Sequence, residues 1–290
     1  MVEYILGNYL VEAGKLTKDQ LNQVLAKQDA VRVKLGLIAV EEGLITIEQA
    51  DEINRLQALK DQRFGDIAVS KGYLTEEQID KLLKQQGNAY LIFVQALVDE
   101  QLITMDEIDL LLNDFKRQYG YSNSELEDIK SDNVDRIVPL LLPDDAKKYK
   151  DIIGTAVRTL IRLVNRHTYL GWGAVVDTIP TDDMVCQALA GENGIVTCFS
   201  ERDGALLNVC CSFGQEEFDY LDLDSLDAAG ELLNCINGLH ASEMSRHGVH
   251  LELMPPEYNG VKEQVRSGSI CRVPIFVRGQ GLYFTVAEIM

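Results

Sequence analysis

The sequence predicts a multi-domain protein, an all-α helical repeat module followed by an α+β domain with a largely antiparallel sheet. Three observations carry that expectation. The first part repeats itself every 29 residues, no proline occurs before Pro139, and after Pro143 helical periodicity gives way to short apolar runs separated by turn residues. At 290 residues the chain is long enough for two domains, each with a core of its own.

Composition excludes several function classes. Hydrophobic residues at 46% and charged residues at 25% are ordinary globular values, which rules out wholesale disorder. The formal net charge is −19, and both halves share the acidic excess, so the field repels nucleic acid polymers and anionic membrane surfaces. The N-terminus shows no basic stretch leading into an apolar core. The longest apolar run, 90–98, is broken by Gln95 and falls far short of the roughly 20 residues of a membrane-inserted helix. All six cysteines lie in the second half without a C-x-x-C pair, which points to reduced, buried thiols rather than disulfides or a metal centre, and so to the cytoplasm.

Residues 1–115 are expected to form four helix-turn-helix units. Gly7, Gly36, Gly65 and Val94 share one column, Gly14, Gly43, Gly72 and Gln101 a second, and Thr17, Thr46, Thr75 and Thr104 a third. Each threonine precedes Gln or Glu by three residues (Gln20, Gln49, Gln78, Glu107), a capping box worth about 1 kcal/mol per helix start. Apolar residues three or four apart follow each cap, as in Leu21, Val24 and Leu25. Residues 116–142, with Tyr-Gly-Tyr-Ser-Asn-Ser among them, are polar and unpatterned and are expected to be a linker.

The motif of the first copy, Leu6-Gly7-x-x-Leu10-x3-Gly14-x6-Leu21-x3-Leu25-x-x-Gln28, resembles the repeated motif of the N-terminal domain of type II secretion and pilus ATPases, the MshEN family. The resemblance implies a cyclic di-GMP effector bound across the second and third copies, by Lys34, Gln57, Arg63 and Gln86. An arginine opens the family's motif, suited to stack on guanine and to hydrogen-bond its edge. Only Arg63 supplies it here; the first copy has Ile5, the second Lys34 and the fourth Ile92. Only some members of that family bind the nucleotide, and a helical docking scaffold without a ligand is the leading reading of the repeats, with cyclic di-GMP binding as its alternative.

The second domain is expected over 143–290. A helix over 144–165 opens it, with Ile152, Val157, Leu160, Ile161 and Val164 as its apolar stripe. Strand-like runs follow at 173–179, 194–199, 205–212, 249–254, 270–277 and 282–289, the last two joined by a compact turn at 278–281. Trp172 is expected to anchor the core, as is His240, and the adjacent Cys210 and Cys211 fall on opposite faces of a strand. His247 and His250 flank a turn without a carboxylate cluster, so no metal site is expected.

A helix over 222–245 carries an unusual face. Taking Asp227 as zero, Glu231 lies at roughly 40° and Asn234 at roughly −20°, while Ala229, Leu232, Leu233, Ile236 and Leu239 fall opposite. The small neighbours Ala228, Gly230, Gly238 and Ala241 suggest close approach by another molecule. Outward polar residues are ordinarily just solvated; here the spacing singles them out. Asp227-x3-Glu231-x2-Asn234-x21-Pro256 resembles the active-site signature of the CheC/CheX/FliY chemotaxis phosphatases, in the single-site CheX-like form, since 144–165 lacks a second copy.

That resemblance implies hydrolysis of the aspartyl phosphate of a CheY-like receiver domain. Asn234 would orient the attacking water and Glu231 would pair with the receiver's lysine, with Asp227 and Pro256 in support. It also implies a homodimer, with Mg²⁺ supplied by the response-regulator substrate and no cofactor of the chain's own. A non-catalytic adaptor docking to a secretion, pilus or motor assembly is the competing reading.

Overall fold

The computed structural model describes every residue except 29–30, 32, 61–62 and 181. The chain divides between Asp132 and Asn133 into two compact units.

In the first unit, Val2–Asp132, eight helices form the four repeats: α1 (Val2–Glu12), α2 (Lys18–Lys27), α3 (Leu35–Glu41), α4 (Ile47–Lys60), α5 (Phe64–Ser70), α6 (Glu76–Lys84), α7 (Ala89–Asp99) and α8 (Met105–Tyr119). The expected capping boxes form at Thr17, Thr75 and Thr104, and Thr46 with Gln49 exchanges the same pair of bonds. The first glycine column sits where helices cross. A Cβ on Gly7 would lie 2.5 Å from the Leu21 side chain, on Gly36 3.0 Å from Phe64, and on Gly65 3.2 Å from Ile79. The second column ends the first helix of each pair in the left-handed conformation, with φ of 68° at Gly14, 65° at Gly43 and 71° at Gly72. Gln101 adopts the same conformation at φ 56° although it carries a side chain.

The expected linker is instead largely helical. α8 runs on to Tyr119, Gly120 closes it, and α9 (Asn123–Lys130) follows. Ser122 and Glu125 form a capping box there, so the serine that looked like hinge composition starts a helix. Tyr119 and Tyr121 pack their rings 5.0 and 5.7 Å from Phe115, which buries aromatic surface that polar neighbours obscure in the sequence. Leu126 and Ile129 are buried, and Asp132 accepts the Val2 backbone N–H at 2.8 Å, tying the end of the unit to its beginning.

The second unit opens with α10 (Val134–Ile137) and two 3₁₀ turns, Val138–Leu140 and Asp144–Tyr149, before α11 (Lys150–Leu163). Its sheet comprises β1 (Tyr169–Leu170), β2 (Ala174–Val176), β3 (Met184–Gly191), β4 (Ile195–Glu201), β5 (Leu251–Leu253), β6 (Glu257–Tyr258), β7 (Ile270–Val277) and β8 (Gln280–Glu288). The order is β1-β7-β8-β4-β3-β5, with β2 also on β7 and β6 also on β3, and every pairing is antiparallel. Two helices, α12 (Ala205–Gly214) and α13 (Leu223–Arg246), pack on the sheet, and α11 packs on α13. A separate cluster of Met184, Cys186, Val196, Cys198, Ile270 and Ala287 is covered by Val176, Ile179, Val261, Val265 and Ile289.

Several expectations need correction. Residues 205–212 are helix, not strand: the run is apolar on nearly every side, so its periodicity is uninformative. The Glu201 carboxylate accepts the backbone N–H groups of Arg202, Gly204 and Leu206 and so starts the helix from outside it. Cys210 and Cys211 are therefore helical neighbours, and burial pushes the Cys210 thiol up to about 12. Cys186 and Cys198 stand directly opposite on β3 and β4, Cα atoms 4.1 Å apart, and form a disulfide, contrary to the expectation of reduced thiols; Cys235 is exposed rather than buried. Trp172 is 44% exposed, and its neighbours Gly171 and Gly173 are what lie against Pro274 and Leu142.

The second glycine column generates a stability test with opposite signs. Gly72→Ala should lower the unfolding free energy of the first unit, measured in urea, by about 1 kcal/mol, because an L side chain is strained at that φ. Gln101→Gly should raise it by up to about 1 kcal/mol, since it relieves the same strain in the fourth copy.

Candidate functional site

The site begins with the way α13 is started and packed. Asp222 caps it, accepting the Ser225 N–H at 2.9 Å while its own N–H donates to Ser225 Oγ at 2.8 Å. Leu226, Ala229, Leu232, Leu233 and Ile236 are fully buried, which leaves Asp227, Glu231 and Asn234 exposed as the periodicity predicted. Leu239, expected on the packed side, is 45% exposed.

Gly230 is explained from within the chain rather than by an incoming molecule. A Cβ there would lie 3.2 Å from Tyr258 Oη, 3.3 Å from Pro256 Cβ and 3.5 Å from Val185 Cγ2. The notch lets the segment carrying Pro256 settle on the helix, so Pro256 sits beside the same turn of α13 as Glu231. Asp227 is held by that segment too: Tyr258 Oη donates to its carboxylate at 2.7 Å. Asp227 thus orients neither Asn234 nor the helix start, which belongs to Asp222. Burial, the bond to Asp227, and the charges of Asp227 and Glu231 push the Tyr258 phenol up to about 12. No described residue hydrogen-bonds or ion-pairs with the Glu231 carboxylate, which leaves it open to an outside cation.

Asn234 is exposed, yet its amide is anchored from behind. Gln187 on β3 donates from Nε2 to Asn234 Oδ1 at 3.0 Å and to the Met254 carbonyl at 2.9 Å. Behind it, Asn237 donates to Gln187 Oε1 and to Thr197 Oγ1, both at 2.8 Å. Sequence reasoning missed Gln187, Asn237, Thr197 and Tyr258. The available signal was polar residues inside apolar runs: Gln187 within Met184–Gly191 and Asn237 between Ile236 and Leu239.

Glu231 and Asn234, three residues apart on a helix, present a carboxylate and an amide side by side. An amide does not titrate, so this is no acid–base pair. It can hold a polar molecule in one orientation while the carboxylate binds a cation. Among the described residues no group of three or more His, Cys, Asp or Glu could hold a metal ion, and no helix is long and apolar enough to cross a membrane. His240 is buried, and burial lowers its pKa; His247 ends α13 beside Glu243.

The residues singled out in the repeats are only partly brought together. Gln86 donates to the Val33 carbonyl at 2.8 Å, next to Lys34, whose ammonium pairs with Asp99 at 2.9 Å. Arg63 pairs with Asp66 in two bonds of 3.0 and 3.2 Å, and Gln57 is half-buried on α4. Leu35 and Arg63 line one open cleft of about 580 Å³, together with Gly65, Asp66, Ile79 and Leu83.

No family model matches the chain, and no curated protein matches it. Solved structures similar to it include a CheC-like superfamily protein from Shewanella sp. PV-4, with a TM-score of 0.42 and 14% identity over 51% of this chain and 99% of that one. The chemotaxis protein CheX from Vibrio vulnificus gives 0.40 and 15% over 47% of this chain and 95% of that one. A chain of the CheX–CheY–BeF₃–Mg²⁺ complex from Borrelia burgdorferi gives 0.38 and 19% over 48% of this chain and 96% of that one.

The Tyr258–Asp227 contact makes stability depend on pH. Its folded pKa lies above the ordinary 10, so the stability it contributes is whole below pH 10 and is lost as the pH climbs toward 12. Tyr258→Phe should therefore unfold at lower denaturant than wild type at pH 8, and the gap should narrow between pH 10 and 12.

Proposed function

We propose that the second unit is a phosphatase that hydrolyses the aspartyl phosphate of a CheY-type response regulator. One observation carries the reading: Glu231 and Asn234, at the spacing of the phosphatase signature, both stand exposed on one face of α13, with the amide of Asn234 already oriented.

The chemistry is a positioning problem. An aspartyl phosphate is an energetic acyl phosphate, and the receiver that carries it brings Mg²⁺ and a lysine to balance the charge on phosphorus. Hydrolysis needs a water in line with the phosphorus, opposite the departing carboxylate. Asn234 Oδ1 uses one lone pair for Gln187 and keeps the other, which can accept a hydrogen from that water and aim the water's own lone pair at phosphorus. The new bond joins water oxygen to phosphorus; the bond to the receiver's carboxylate breaks, and inorganic phosphate leaves. Glu231, which has no partner among the described residues, pairs with the receiver's lysine by a charge-assisted bond and sets the depth of insertion. Tyr258 and Pro256 brace the helix from the side.

The first unit is read as a docking scaffold. Cyclic di-GMP binding is the competing reading, and the cleft shared by Leu35 and Arg63 favours it. The pairs Lys34–Asp99 and Arg63–Asp66 are solvent-exposed and screened by water, so they would not bar a nucleotide. Calorimetric titration of cyclic di-GMP into the full chain is expected to give no saturable heat. A saturable heat that Arg63→Ala abolishes would assign the nucleotide site instead.

The phosphatase is tested by phosphate loss from phosphorylated receivers. Wild type should accelerate it, and Asn234→Ala should lower kcat by about 10²-fold, the size of effect seen when other positioning groups are lost. Glu231→Lys should act mainly on KM, because it opposes the receiver's lysine without touching the water. Equal rates with wild type and Asn234→Ala across several receivers would favour the adaptor.

A further inference from the structure

We propose that Gln187 is the positioning residue of this site, holding the Asn234 amide in the one orientation that turns its oxygen's remaining lone pair to the incoming water. The proposal rests on the phosphatase reading for its purpose, but its geometry stands without that reading.

The argument starts from an atom that has no choice. The Met254 carbonyl oxygen can only accept, so the Gln187 atom 2.9 Å from it is the amide nitrogen. The Gln187 oxygen then faces Asn237, whose nitrogen donates to it at 2.8 Å. The second N–H of Gln187 points at Asn234, and only an acceptor fits there, so Oδ1 lies at 3.0 Å. A flipped Asn234 amide would set two NH₂ groups face to face. The polarity of an exposed amide is thus dictated by a backbone carbonyl through one intervening side chain.

The relay is rigid because it is buried and spans three elements. Gln187 on β3 is 1% exposed, and Asn237 on α13 and Thr197 on β4 are fully buried. The Thr197 hydroxyl lies 3.3 Å from the Gln187 carbonyl and 3.1 Å from Asn237 Oδ1, so it has an acceptor on either side. An apolar side chain at 187 would fill the same space but leave Met254, Asn237 and Asn234 without their partner. Without Gln187, an asparagine on an open helix face would sample several rotamers and both amide orientations, and the water would have to order it at the moment of reaction.

Gln187→Met keeps the shape and removes both donors. With a phosphorylated receiver as substrate, it should lower kcat about 10-fold with KM unchanged. In an Asn234→Ala background the same substitution should change kcat no further, because Gln187 acts only through that amide. An unchanged kcat, or an equal loss in both backgrounds, would overturn the proposal. Nuclear magnetic relaxation of the Asn234 side-chain amide gives a reading independent of activity, and in wild type it needs no variant to fold. That amide should be as ordered as rigid backbone, with an order parameter of about 0.85, and should become mobile in Gln187→Met. A mobile amide in wild type overturns the positioning role even if phosphatase activity is found. An ordered amide in a wild type that leaves every receiver's phosphate untouched overturns the phosphatase reading and, with it, the purpose assigned to Gln187.

Discussion

The burial of one side of α13 against the sheet is the constraint from which the rest of the second unit follows. Leu226, Ala229, Leu232, Leu233 and Ile236 are driven out of water together. Their spacing leaves the helix no freedom to turn about its axis. Whatever lies on the opposite side must then face solvent, and Asp227, Glu231 and Asn234 do. Their exposure is thus enforced by apolar packing and does not depend on any interaction of their own. Where the burial edge is crossed by polar residues, the fold supplies partners: Asn237 meets Gln187 and Thr197, and Asp227 meets Tyr258.

What could be read from the residues was what is encoded locally. Four threonines followed at three residues by Gln or Glu, and three glycines ending helices, make the repeats legible, since caps and left-handed ends are properties of short segments. The faces of α13 were equally plain, because a long amphipathic helix repeats its signal over six turns. The exposure of Glu231 and Asn234 on one side of that helix follows the same period, while their pairing with Pro256 rests on the resemblance to a family signature.

What escaped depends on partners distant in the chain. The stretch after Lys116 looked structureless because Tyr119 and Tyr121 show their purpose only against Phe115. Residues 205–212 passed for a strand because a short run buried on most sides carries no period. β3 shows no alternation in the sequence, since both its faces are covered and Gln187 interrupts it, and so the support behind Asn234 is invisible there. The Cys186–Cys198 bridge could not be foreseen either, since it needs the register of β3 on β4. Trp172, between two glycines, is expected in the core, whereas the tight fit falls to those glycines.

The notch at Gly230 has a wider reach than its size suggests. By giving up one methyl group, α13 lets Tyr258 and Pro256 lie down on it, and those residues belong to the strip of chain that also contains Met254. Any bulk at position 230 would lift the strip, drag the Met254 carbonyl away from Gln187, and loosen an amide on the next turn of the helix. A spot with no functional group of its own thereby sets how closely the strip approaches the exposed edge of α13, and the distance in sequence between Gly230 and Pro256 is closed in space by an atom that is missing.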